Sequence, residues 1–197
     1  MNNYKYVGSG VNRVDGISKV TGAMKFAGDI KLPGMCYGKI LLSAYPRARI
    51  LRIDTRSAAS IAGVKKIITA KEIPGKNRYG YYIPHRPALV GEGEETRFIG
   101  DPIALIVAES NEICNEALKS IKIDYEVLTP LTSPQESMAK GAYQIHAGEE
   151  GNVASRHELV HGDIKAGFET AEVIVEQTYF TSRKSKLFWK QRPALHL

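Results

Sequence analysis

Residues 97–128 read as strand, helix and strand in quick succession, which confines the fold to the mixed α/β classes. Residues 103–107 form a β-branched run introduced by Gly100 and Pro102, as expected of a strand buried on both faces. Periodicity alone leaves a helix open for so short a run. Ser110 is placed to cap a helix, and Glu112 supplies an acidic residue to its first turn. Ile113, Ala117 and Ile121 recur at i, i+4 and i+8 beside Leu118, so this helix has one apolar face. Ile121, Ile123 and Tyr125 then alternate with Lys122, Asp124 and Glu126, the pattern of a half-buried strand. No side chain in this stretch has the setting of a catalyst.

A similar order occurs upstream. Residues 37–42 and 48–53 are strand candidates. Asp54 and Thr55 can cap a helix that starts near Arg56, Gly63 can end it near Ile61, and residues 64–69 form a third strand. The chain therefore holds two related strand–helix–strand units without a sequence repeat. From patterning alone the expected class is a mixed α/β domain. Residues 1–12 read as an extended lead-in, and 13–36 as a turn-dense wrap with little regular structure. Residues 71–96 form a long connection, and residues 129–156 are irregular. A short helix is expected over 164–169, then a strand over 173–180 with Val173, Val175, Gln177 and Tyr179 on one face and Ile174 on the other.

At 197 residues, with 43% apolar and 24% charged residues, the chain suits one or two globular domains. No run approaches the roughly 18 apolar residues of a membrane span, and the N-terminus lacks the apolar core of a secretory signal. The net charge is +6, but the basic residues are scattered; their densest group, between Arg183 and Arg192, sits at the extreme C-terminus, and the aromatics do not interleave with it in any known nucleic-acid motif. Nucleic acid is therefore not an expected partner. Cys36 and Cys114 fit no zinc or redox spacing and are expected to be buried free thiols in a reducing cytoplasm.

The sharpest chemical motif is His157-Glu158-Leu159-Val160-His161, which matches H-E-x-x-H, two zinc-binding histidines on one helical face with a glutamate base. Its setting opposes that reading. Gly162-Asp163 follows at once, no extension supplies a third histidine, and Glu172 or Glu176 would have to ligate from a strand. Gly8-Ser9-Gly10 and Gly91-Glu92-Gly93 do not lie between strand and helix as phosphate loops do, and Glu92, Glu94 and Glu95 would repel phosphate. No nucleophile elbow is present, and His85 and His146 read as isolated, solvated loop residues. Asp101, Asp124 and Asp163 read as turn, edge and cap residues.

A resemblance adds what patterning cannot. Arg13-Val14-Asp15-Gly16, Lys19-Val20-Thr21-Gly22, Phe26-Ala27-Gly28-Asp29-Ile30 and Leu32-Pro33-Gly34-Met35 resemble the N-terminal part of the molybdenum-binding subunit of xanthine dehydrogenases and aldehyde oxidases. The likeness continues through Ala48-Arg49-Ile50, Ile53-Asp54, Gly63-Val64, Ile68-Thr69-Ala70 and Ile73-Pro74-Gly75. It includes Phe98-Ile99-Gly100-Asp101-Pro102-Ile103-Ala104, Asp124-Tyr125-Glu126, Gly162-Asp163 and Ala171-Glu172-Val173.

The resemblance implies an α+β fold, with a mixed sheet and the start of a second domain: a lead-in over 1–19, an α/β hammerhead domain over 20–128, a linker over 129–154 and the start of a molybdopterin-binding domain over 155–185. It implies an oxidoreductase family that hydroxylates purines, other heterocycles or aldehydes with oxygen from water. A molybdenum–molybdopterin centre serves that chemistry, with 2Fe-2S and FAD on partner domains or subunits. No residue here matches the family's pterin contacts or catalytic glutamate, so no cofactor, metal or catalytic residue is expected in this chain, and the hammerhead is expected to pack beside the catalytic domain. After Ser185 the family pattern is lost. Residues 186–197 read as a shifted frame, so a truncated fragment with an aberrant tail is expected. The competing expectations are a stand-alone assembly module for partner subunits, or a zinc hydrolase through His157, Glu158 and His161.

Overall fold

The two strand–helix–strand units are present, and they exchange strands. In chain order the elements are α1 (Gly16–Val20), β1 (Tyr37–Leu42), β2 (Ala48–Asp54), α2 (Arg56–Ala59), β3 (Val64–Ile68), β4 (Pro102–Ala108), α3 (Asn111–Ser120), β5 (Lys122–Val127), α4 (Pro134–Met138) and α5 (Ile164–Thr170). One sheet has the order β1-β4-β3 and the other pairs β2 with β5. Each unit thus sends one strand to each sheet. This computed structural model describes residues 8, 10, 12–80, 86–146 and 150–181. They divide into a unit Gly34–Gly162 and a second formed from Met1–Pro33 and Asp163–Leu197.

Every ladder among the described residues is antiparallel, which corrects the mixed sheet expected from the sequence. In the first unit the short connection excludes a parallel crossover. A parallel crossover takes a dozen or more residues, usually with a full helix. Only residues 55–63 join β2 to β3, and α2 is a single turn. It stops at Ala59, short of Ile61. Asp54 Oδ1 accepts the Arg56 N–H at 3.1 Å, whereas the Thr55 side chain makes no capping bond.

Strand β4 is the centre of its sheet. Ile103, Ala104, Ile106 and Ala108 are fully buried, as its β-branched run requires. Ala104, Ile106 and Ala108 face a core built with Ala58, Cys114, Ala117 and Ile121. Ser110 caps α3 as expected, its hydroxyl accepting the Ile113 N–H at 3.2 Å, worth about 1 kcal/mol. The inward stripe of α3 is carried by Cys114 and Ala117, with Ile113 and Leu118 packed at its margin. Ile50, Val90 and Ile103 form a second cluster. Ile53 and Ile123, partners in the β2–β5 ladder, touch both clusters.

Three further expectations change. Cys36 is exposed and only Cys114 is buried. The irregular stretch after residue 128 contains α4, started by Ser133, whose hydroxyl accepts the Glu136 N–H at 3.2 Å, with Pro134 in the first turn. Residues 173–180 are not a strand, because none of them pairs with another described residue. In that second unit Asp163 Oδ1 caps α5 through the Ala166 N–H at 3.0 Å, as the sequence suggested. Residues 186–197 and most of 1–12 lie outside the described residues.

Gly63 joins α2 to β3 with φ at +88°, and a Cβ there would lie 2.6 Å from Ile113 Cδ1. Left-handed backbone and a core clash act together. Gly63→Ala is expected to cost about 2–4 kcal/mol, read as a lowered urea midpoint with an unchanged slope.

Candidate functional site

The polar heart of the Gly34–Gly162 unit is built where residues 91–96 return along β2. Gly93 donates to the Ile50 carbonyl at 2.7 Å, Ile50 to the Glu94 carbonyl at 3.0 Å, and Thr96 to the Ala48 carbonyl at 2.8 Å. The buried Thr96 hydroxyl also accepts the Ala48 N–H at 3.0 Å. This ribbon sets Glu95 between two arginines, Arg47 just before β2 at 2.9 Å and Arg49 on β2 at 2.8 Å. Arg49 reaches Glu126 on β5 at 2.9 Å. Arg47 donates to the Thr129 carbonyl at 3.1 Å and lies 3.4 Å over the Tyr143 ring. One guanidinium therefore fastens the segment after β5 to β2.

Beside this knot is a cleft of about 400 Å³ lined by Arg47, Arg78, Thr96, Arg97, Tyr143 and His146. Its Arg97 is held by Asp101, which accepts the Arg97 backbone N–H at 2.8 Å and its guanidinium at 2.9 and 3.1 Å. Both side chains are nearly sequestered, at 12% and 2% exposure. Asp101 also sits in the expected turn, its N–H bonded to the Phe98 carbonyl at 3.2 Å.

The charges are committed to each other. Burial would raise the Glu95 pKa, but hydrogen bonds from Arg49 and Arg47 outweigh it and hold the carboxyl below the ordinary glutamate range. Glu92 is likewise held low by the Lys71 ammonium and by the Ile53 N–H at 2.8 Å. Glu94 accepts the Gly91 N–H at 2.9 Å. The acidic loop is thus a set of backbone and arginine acceptors, a role the sequence signalled only through the Arg47–Arg49 alternation. Burial pushes the Cys114 thiol up, which makes it a poor nucleophile.

The motif residues lie elsewhere. His157, Glu158 and His161 are exposed on a segment without helix or strand. The shared helical face that H-E-x-x-H zinc binding needs is therefore not formed. Among the described residues, no group of three or more His, Cys, Asp or Glu side chains is placed to hold a metal ion. His146 is half-buried at the cleft, contrary to the solvated position expected for it. His85 lies outside the described residues. No helix among the described residues is long and apolar enough to cross a membrane.

Comparison with known proteins gives this architecture a context. Residues 21–129 match the family described as "Aldehyde oxidase and xanthine dehydrogenase, a/b hammerhead domain". The chain is 39% identical over 172 residues to a probable xanthine dehydrogenase subunit from Bacillus subtilis (strain 168), covering 87% of this chain and 23% of that one. It is 34% identical over 185 residues to the nicotinate dehydrogenase large molybdopterin subunit of Eubacterium barkeri, covering 94% and 43%. The solved aldehyde oxidoreductase of Desulfovibrio gigas superposes with a TM-score of 0.62 at 30% identity, over 69% of this chain and 16% of that one. The chain thus spans less than half the length of these relatives.

Two measurements probe the polar heart. Removing one member of a buried, hydrogen-bonded pair leaves an uncompensated charge, so Asp101→Ala is expected to cost about 3–5 kcal/mol in chemical denaturation. Because Glu95 titrates lower folded than unfolded, its stabilisation is complete above the ordinary glutamate range and is lost as pH falls through its folded pKa. The acid limb of a urea-midpoint profile should therefore flatten in Glu95→Gln, with the neutral-pH midpoint lowered.

Proposed function

The chain belongs to the aldehyde oxidase and xanthine dehydrogenase family, and from that premise we propose that its hammerhead is a packing domain of a molybdenum hydroxylase large subunit. The observation that carries the reading is the agreement of the strand-exchanged architecture with the family match over residues 21–129. The parent enzyme hydroxylates a purine, another heterocycle or an aldehyde in the cytoplasm, using oxygen from water and a molybdenum–molybdopterin centre. Electrons leave to 2Fe-2S and FAD groups on partner domains or subunits. That several relatives are named as subunits, one of them as the gamma subunit of a dehydrogenase complex, supports such partners.

The donor set of the hammerhead does not fit the molybdenum–pterin group. A pterin phosphate needs free cations or unbonded N–H groups. In the cleft Arg47 is already matched by Glu95 and Arg97 by Asp101, while Glu94 and Glu95 would repel a phosphate. The hammerhead's contribution is mechanical: its paired charges and two apolar clusters hold a rigid body against which the catalytic domain is positioned. Residues 155–185 belong, in this reading, to the start of the molybdopterin-binding domain.

The test is metal analysis and turnover of the purified chain. It should carry no stoichiometric molybdenum and reduce no dye with xanthine, nicotinate or an aldehyde. Stoichiometric molybdenum with turnover would overturn the packing-domain reading. Capture of an iron–sulfur or FAD subunit by the chain alone would replace it with an assembly role, and bound zinc lost in His157→Ala would replace it with the hydrolase.

A further inference from the structure

The segment after β5 closes on itself. Leu131 donates to Tyr143 Oη at 3.2 Å, Thr132 to Glu136 Oε2 at 3.2 Å, and Ala142 to the Ala139 carbonyl at 3.0 Å. Asn152 locks these turns together. Its Oδ1 accepts the Ile145 N–H at 2.8 Å, and its Nδ2 donates to the Ser137 and Tyr143 carbonyls at 2.9 and 2.8 Å. Asn152 stands at φ +56°, a left-handed backbone that asparagine tolerates better than most residues.

Attachment to the two-stranded sheet is of a different kind. Leu128 donates to the Arg47 carbonyl at 3.1 Å, which continues the β2–β5 ladder and fixes the point where the segment leaves it. Beyond that point the Arg47 side chain reaches across. Its Nη1 donates to the Thr129 carbonyl at 3.1 Å, and its guanidinium lies 3.4 Å over the Tyr143 ring. Thr129 and Pro130 lie between the ladder-bound Leu128 and the self-bonded Leu131. Tyr143, Ile145 and His146 line the cleft from this segment, and Thr96 and Arg97 line it from the body of the unit. The internal bonds therefore survive a motion that parts the Tyr143 ring from Arg47. Such a motion gives up one hydrogen bond and one cation–π contact, far less than global unfolding.

We infer that residues 129–146, locked by Asn152, are a strap that opens from the cleft as one folded piece. Thr129-Pro130 is its hinge and the Arg47 side chain its latch. The inference goes beyond the packing-domain reading and does not rest on it, because every contact it uses lies inside the Gly34–Gly162 unit.

The test uses the full chain in a Cys36→Ser background with Ile145→Cys as reporter, since Cys114 is buried and Ile145 is half-buried at the cleft. The reporter thiolate attacks the aromatic disulfide DTNB, forming a mixed disulfide on the chain and releasing one coloured thionitrobenzoate. Arg47→Lys keeps a cation beside Glu95 but gives up the planar stack and the second hydrogen-bonding arm. It should speed the reporter about tenfold, the change expected for one cation–π contact and one hydrogen bond. Amide exchange is then followed by NMR in chains that keep Ile145. In Arg47→Lys the Ile145 and Leu131 amides should stay as protected as in the parent, because their acceptors move with them. In Asn152→Ala the Ile145 amide should exchange about tenfold faster, since its acceptor is gone. The Ile106 amide of β4 should be unchanged in both and reports that the core is intact. An unchanged thiol rate in Arg47→Lys would overturn the latch. Ile145 exchange rising with the thiol rate in that variant would show a segment that unravels, and would overturn the strap. A matching rise at Ile106 would show global opening and would overturn it as well. These readouts involve no molybdenum, so their failure leaves the packing-domain reading standing.

Discussion

Ile53 and Ile123 face each other across the β2–β5 ladder, and both apolar clusters rest on that pair. One cluster lies between α3 and the three-stranded sheet; the other holds Ile50, Val90 and Ile103. Without the pair the two sheets would be separate small layers, each with too little buried apolar area to persist alone. Strand exchange is what places it there. Each strand–helix–strand unit lends a strand to the other's sheet, so neither unit can bury its apolar face alone.

The polar network extends the same division of labour to segments without regular structure. Glu95 lies in a loop, yet its two arginines come from β2 and the residue just before it, and the one on β2 reaches β5. Arg47 then carries the connection on to Thr129 and Tyr143. A loop residue thereby ties the two-stranded sheet to both long connections, and the carboxylate is held ionised by the groups it organises.

Most of the elements were legible because their signals are local. The β-branched run of β4, the Ser110 cap and the Asp163 cap each depend on residues a few positions apart. What was not legible is long-range. Nothing near Ala48 or Val64 states which strand it will pair with, so a mixed sheet was the natural expectation and two antiparallel sheets the outcome. Glu95 read as a repulsive loop acid because its partners lie nearly fifty positions away. Residues 173–180 carry a strand's pattern, but a strand is a relation between two segments, and no described residue supplies the second. The zinc motif is the opposite case: its residues are adjacent, but the helix that would align them is not built.

Strand exchange also has a consequence for the order of synthesis. Asp54 ends β2, and its ladder partner Lys122 is roughly seventy residues further along. At about 5–20 residues per second, β2 waits on the order of 4–15 s on the ribosome before β5 exists. During that interval Ile50 and Ile53 have no sheet to enter, and the first strand–helix–strand unit is exposed apolar chain before it is part of a domain.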